Sequence, residues 1–175
     1  MTIKTIFLDR DGVINKEVGY LYKVEDFHFI NGVFEACQYF NQLGYQIIIV
    51  TNQSGISRGY YTEIDFQIIN HWMLSEFKKN SINILEVFHC PHLPESTCNC
   101  RKPKPGMLIK AQNKYNINME KSWMIGDSER DIIAANAAGI KNTILVKSGH
   151  KINEKSSNTM FILDSINQVN QIILK

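Results

Sequence analysis

At 175 residues with 44% hydrophobic content, the chain can bury one full core and is too short to need a second, so residues 1–175 are read as a single domain. Its 19 basic and 17 acidic side chains leave a formal charge of +2, which excludes a partner chosen by bulk charge: neither nucleic acid nor a membrane surface is implied. The apolar runs are strand-sized and Asp9 interrupts the N-terminal one, so no signal peptide or spanning helix is expected, and the reading is a cytoplasmic monomer.

Short apolar runs predict strands at 5–8, 46–50, 84–88, 122–125, 143–146 and 160–163. Longer amphipathic patterns between them predict helices. One covers 33–43 and stops at Gly44. A second covers 63–79 behind Thr62 as N-cap, a third 106–115 entered through Pro105, and a fourth 129–138 ended by Gly139. This alternation is the βαβ rhythm of an α/β fold: a doubly wound, mainly parallel sheet with helices on both faces. Spacing between the polar motifs leaves room for loops and single helices, so no large cap domain is expected. The polar stretch 151–159 has no assigned role.

In such a sheet the ligand crevice lies beyond the carboxyl ends of the strands. Three polar clusters fall there: DRDG from Asp9, TNQSG from Thr51, and GDSERD from Gly126. A fourth, RKPKP from Arg101, follows the loop after the third strand. Each taken alone has an ordinary structural reading as a turn or helix cap. Together they supply carboxylates for a hard cation, from Asp9, Asp11, Asp127 and Asp131, with a hydroxyl at Thr51 and a point charge at Lys102. A phosphoryl group needs that set.

Cys90, His92, Cys98 and Cys100 place three thiolates and an imidazole in residues 90–100, the donor count of a closed tetrahedral zinc site. The loop between them is too polar to bury itself, so a cross-link is expected to hold it. A disulfide would leave one thiol over, and three free cysteines with a surface histidine is the plainer alternative. Reduced thiols fit the cytoplasmic reading. Cys37 lies in an apolar helical pattern and reads as core.

FLDRDGVIN, VTNQSG, RKPKPGM and MIGDSERD resemble the four ordered motifs of haloacid-dehalogenase superfamily phosphatases. With the Cys-His-Cys-Cys loop before RKP, the chain resembles the heptose bisphosphate phosphatases of that superfamily and, next, the histidinol phosphatases. The match runs from Ile6 to about Gly149. The short LPEST spacer is similar to the histidinol branch, whereas INKEVGYLYKVEDFHFINGV, TNQSGISRGYYTE and RKPKPGM are similar to the heptose branch.

The heptose resemblance implies a magnesium-dependent phosphomonoesterase, with a phosphorylated sugar as its small-molecule partner, that releases the 7-phosphate of a heptose 1,7-bisphosphate. The histidinol resemblance implies histidinol phosphate instead. Asp9 is then the nucleophile and Asp11 the acid and base, while Thr51 and Lys102 bind the transferring phosphoryl group. Magnesium is held by Asp9, the Asp11 backbone carbonyl and Asp127, and zinc by the cysteine loop. Glu17, Val18, Gly19 and Tyr20 match the family's substrate loop. Asn52, Gln53 and Ser54 add contacts to phosphate or sugar hydroxyls, and Arg101 suits a second, non-reacting phosphate. Ser128 departs from a lysine found after the fourth-motif aspartate in some members, so charge at that point is weakened or moved elsewhere. Asp131 reads as a helix-start residue able to support Lys102 or the metal. His28, His71, His89 and His150 lack partners at ligand spacing and read as surface or filler, with a small allowance for His89 beside the zinc loop. Trp72 and Trp123 read as core.

Overall fold

In a computed structural model, which describes residues 2–174, six strands form one sheet: β1 (Thr5–Leu8), β2 (Gln46–Asn52), β3 (Glu86–Cys90), β4 (Trp123–Gly126), β5 (Asn142–Val146) and β6 (Phe161–Leu163). Their order across the sheet is β3-β2-β1-β4-β5-β6, and every neighbouring pair is parallel. Four helices connect them: α1 (Val33–Gln42), α2 (Glu63–Lys79), α3 (Gly106–Tyr115) and α4 (Glu129–Ala137). The doubly wound expectation is met, and the sheet is wholly parallel.

Strand alternation explains the layering. Ile6, Leu8, Ile47, Ile49, Ile125 and Val146 point to one face, where they pack with Val33, Cys37 and Phe40 of α1 and Ile69, Met73 and Phe77 of α2. Phe7, Ile48, Val50 and Met124 point to the other, against Met107, Leu108 and Ala111 of α3 and Ala134 and Ala135 of α4. A fully buried Ile or Phe contributes about 1.5–3 kcal/mol each, so both faces are anchored and the strand ends between them are held rigidly. Cys37 is core, as expected. Trp72 and Trp123 are partly buried against that first layer.

Local signals fix the helix starts. Thr62 caps α2 through a reciprocal pair with Asp65, and Ser128 caps α4 in the same way with Asp131; each satisfies amides that have no partner inside the helix. Two strands move by two residues, and no other expected boundary shifts by more than one. β2 runs two residues further, to Asn52, and β3 is displaced to Glu86–Cys90, because Asn52 pairs with Cys90 at the end of their shared ladder. Between β1 and α1 the only regular element is a 3-10 turn at Val24–Asp26. Another 3-10 segment, Ile166–Gln171, packs on α1 and was not expected. Among the described residues no helix is long and apolar enough to cross a membrane.

Candidate active site

β1 and β4 are neighbours although chain order runs outward from them in opposite directions, so the crevice between their carboxyl ends is the topological switch point of the sheet. Asp9 follows β1 there, its amide donating to the Ile125 carbonyl of β4 at 3.0 Å, and Asp127 follows β4. Lys102, brought in by the loop after β3, places Nζ 3.0 Å from Asp9 Oδ1 and 2.7 Å from Asp131 Oδ1. It also donates to the Val50 carbonyl at 2.8 Å. Asn52 holds this loop at both ends of the Lys102 residue, its Nδ2 donating to the Lys102 carbonyl and its Oδ1 accepting the Lys102 amide.

Burial dominates the electrostatics. It pushes the Asp9 carboxyl well above the usual range; Lys102 opposes that, while Asp131, Asp127 and Asp11 add to it. Burial likewise raises Asp127, with Asp131 beside it and His150 opposing. Lys102 loses hydration, but Asp131 and Asp9 outweigh that loss and hold its ammonium above the ordinary value. Three closely set carboxylates share one lysine, which leaves the cluster short of positive charge.

Asp11 is held by donors on several sides. The Arg10 guanidinium, 1% exposed, reaches it through Nε at 3.2 Å and Nη2 at 2.9 Å. Asn15 Nδ2 and Gln53 Nε2 each donate at 3.0 Å. Gln53 Nε2 also donates to Thr51 Oγ1 at 2.9 Å, and Tyr61 donates its hydroxyl proton to Gln53 Oε1, which fixes the amide's orientation. Burial pushes the Tyr61 hydroxyl up to about 12, so it remains a donor. Sequence reasoning missed Arg10 and Tyr61, although Arg10 stands inside DRDG and Tyr61 inside TNQSGISRGYYTE.

Asp131 serves both expected purposes. One oxygen pairs with Lys102, and the other accepts the amides of Asp127 and Ser128 at 3.2 and 3.1 Å. Asp127 fits only because its neighbours lack side chains: a Cβ at Gly12 or Gly149 would lie 2.2 or 1.9 Å from its Oδ2. One expectation fails at His150, which is not filler. Its backbone amide and Nδ1 reach Asp127 Oδ2 at 2.9 and 2.6 Å, a contact spanning twenty-three positions and invisible to local spacing. His89 turns away from the cysteine loop to Glu63, 2.9 Å off, and His28 and His71 are exposed.

The oxygens of Asp9, Asp127 and Asp131 lie within 4.8 Å of one another, and Asp127 Oδ1 is buried without a hydrogen-bond partner. An orphaned carboxylate oxygen inside an anionic cluster fits a hard divalent cation.

This cluster opens into a cleft of about 390 Å³ lined by Asp11, Glu17, Gly19, Tyr20, Gln53, Ser54, Arg58, Arg101, Arg130 and His150, among others. Of the residues singled out in the sequence, Glu17, Gly19, Tyr20, Asn52, Gln53, Ser54 and Arg101 line this cleft; Val18 is 52% exposed and outside the lining. Burial and Asp11 raise the Glu17 carboxyl, against the Gly19 amide. Ser128 borders the inner pocket that holds Asp9 and Lys102. Arg58 and Arg130 are additions. A larger hollow, about 510 Å³, lies between α1 and the 166–171 segment, but its lining contains no cation and so offers nothing to a phosphate.

The cysteine loop closes one wall of the cleft. The donor atoms of Cys90, His92, Cys98 and Cys100 lie within 4.8 Å of one another, with His92 Nδ1 3.4 Å from Cys90 Sγ and 3.2 Å from Cys100 Sγ. All four cysteines are free thiols. A tetrahedral zinc with bonds of about 2.3 Å sets its sulfurs roughly 3.8 Å apart; Cys90 and Cys98 are at 3.8 Å, whereas Cys90 and Cys100 are at 2.8 Å, so Cys100 must draw back for a metal to enter. Although burial raises the Cys98 thiol, the Arg101 amide and neighbouring donors lower it further, to about 6, so this ligand is largely thiolate at neutral pH. Arg101 is tied to the same loop, donating to the His92 carbonyl at 3.2 Å.

A strand-end aspartate facing a buried lysine, with further carboxylates at the switch point of a parallel sheet, defines a haloacid-dehalogenase-like hydrolase. Residues 99–169 match the family model described as HAD-hydrolase-like. A Campylobacter jejuni D-glycero-alpha-D-manno-heptose-1,7-bisphosphate 7-phosphatase is 50% identical over 86% of this chain and 87% of its own length. The beta-named enzyme of Vibrio cholerae is 42% identical over 100% and 98%. A crystal structure of the B. bronchiseptica D,D-heptose 1,7-bisphosphate phosphatase, complexed with magnesium and phosphate, superposes with a TM-score of 0.85 at 29% identity, covering 97% of each chain. The chain belongs to the D-glycero-D-manno-heptose-1,7-bisphosphate 7-phosphatase family.

Proposed function

We propose that this protein hydrolyses the 7-phosphate of D-glycero-D-manno-heptose 1,7-bisphosphate and releases the heptose 1-phosphate. The observation that carries this reading is the buried Asp9–Lys102–Asp131 line opening into a cleft lined by three arginines: one end suits a reacting phosphate and the other a second phosphate that does not react. Relatives with both anomer names match, an alpha-named one at 50% identity over 86% of this chain and a beta-named one at 42% over 100% of it, so both anomers are tested.

Asp9 attacks phosphorus, the bond from phosphorus to the sugar oxygen breaks, and Asp11 gives that oxygen its proton. An aspartyl-phosphate remains. Asp11, now a carboxylate again, takes a proton from water as the water oxygen attacks the phosphorus, freeing Asp9 and inorganic phosphate. Lys102 stands beside Asp9 and Thr51 shares the Gln53 amide with Asp11; in this reading both bind the phosphoryl oxygens as charge moves across them. The donors around Asp11 fix the position of its carboxyl.

Asp9 and Asp127, with the Asp11 carbonyl, are the groups that hold magnesium in this reading, and Asp131 is occupied by Lys102 and two amides. Bound there, the ion supplies the positive charge that lets a carboxylate approach a phosphate. The four donors at 90–100 hold zinc as a structural clip that fixes Arg101 at the cleft.

Phosphate release from both anomers of the bisphosphate, measured with and without magnesium and beside histidinol phosphate, tests the proposal. A kcat/KM higher by orders of magnitude for a heptose anomer is expected, with no release by Asp9→Asn at an unchanged melting temperature. Preference for histidinol phosphate, or turnover by Asp9→Asn, overturns it.

A further inference from the structure

Ser128 leaves the first position after Asp127 uncharged, and a cation stands close by. Arg130, two residues on, donates through Nε to Ser128 Oγ at 3.2 Å. That tether is consistent with its place along the edge of the site, where it lines both the outer cleft, with Arg101, and the inner pocket, with Asp9 and Lys102.

Local physics disfavours this placement. Arg130 lies in the first turn of α4, where the helix dipole is positive and a cation is unfavourable. It also faces other cations: Arg101, whose guanidinium is destabilised first by its own burial, feels Arg130 next and Arg58 as well. Among the described residues none of the three makes an ion pair with a carboxylate. Arg58 is set against the Tyr20 ring at 5.9 Å, while Arg101 and Arg130, among the described residues, have neither a ring nor a carboxylate against their guanidinium groups. An arrangement that breaks a local rule and gathers unpaired like charges at a cleft marks a site whose compensation comes from the ligand.

We propose that Arg130, positioned by Ser128, is a second arm of the grip on the non-reacting phosphate and so a specificity-determining residue for bisphosphates. The inference rests on the bisphosphate reading. A planar fork suits phosphate bidentately, and two forks meeting a dianion from different chain segments, one on the cysteine loop and one on α4, fix both its position and its orientation.

The test compares kcat/KM for heptose 1,7-bisphosphate with that for the same sugar carrying only the 7-phosphate, in the magnesium- and zinc-replete full chain. In Arg130→Ala the preference for the bisphosphate falls at least tenfold, chiefly through KM. Arg130→Lys recovers part of it, because charge returns without the fork. If activity on both substrates falls together and the ratio is kept, Arg130 serves only the start of α4 and the proposal is overturned. A wild-type enzyme that does not distinguish the two substrates overturns the underlying bisphosphate reading, and that result is read before any variant is made.

Discussion

Lys102 Nζ and Asp131 Oδ1 lie 2.7 Å apart with side chains only 3% and 1% exposed. Removing one member of a buried pair leaves the other charge desolvated, at a cost of about 3–5 kcal/mol. Asp131 also caps the two amides that open α4, so Asp131→Ala loses both functions. Urea unfolding should show a destabilisation of at least about 3 kcal/mol, with kcat reduced because Lys102 is no longer aimed. A variant within 1 kcal/mol of wild type would show that Lys102 relaxes onto Asp9 alone.

Magnesium and protons compete for the same carboxylates. Burial raises Asp9 and Asp127 above their ordinary values. A carboxyl with a raised folded pKa contributes stability below its unfolded value, and that contribution is lost as pH rises through the raised folded value. Zinc-replete protein freed of magnesium should therefore melt at progressively lower temperature as pH rises from the ordinary carboxylate range through the raised values. Added magnesium should restore more at the higher pH, where fewer protons must be displaced. Equal magnesium-induced shifts across that range would refute the assignment of the cation to this cluster.

Much of this site was legible because its chemistry is carried by short motifs at strand ends. Asp9 and Asp11 need only the first strand to be placed, and the parallel topology then brings Asp127 beside Asp9 without any further signal. The missing pieces are those whose meaning depends on distance in the fold. His150 reaches Asp127 across twenty-three positions, and Tyr61 acts through Gln53 on Asp11. β3 shifted because its end is set by pairing with a lengthened β2, a relation its own sequence does not contain. Arg130 was in view within GDSERD, but an arginine near a helix start reads as a solvated residue until its neighbours are seen to be arginines too.

The cysteine loop makes a separate prediction. Cys98 is the ligand most readily deprotonated, with its thiol at about 6, and Arg101 is tied to the same loop through the His92 carbonyl. Metal analysis of the native protein should find one zinc per chain. Cys98→Ala should lose it, melt earlier, and discriminate less well between the bisphosphate and the 7-monophosphate. Absence of zinc from native protein would remove the clip from the account.

Gly149 offers a test of Asp127 that leaves every functional group in place. Its φ is not in the left-handed region, so alanine is acceptable to the backbone, yet the added Cβ would sit 1.9 Å from Asp127 Oδ2 and 2.8 Å from its Cβ. Asp127 is 1% exposed, so the carboxylate must turn to clear the added Cβ. Overpacking of this kind costs about 1–3 kcal/mol. Gly149→Ala should thus raise the magnesium concentration needed for half-maximal activity by at least tenfold while circular dichroism remains that of the wild type. Activity matching wild type at limiting magnesium would show that the orientation of Asp127 seen here is not the one that binds the ion.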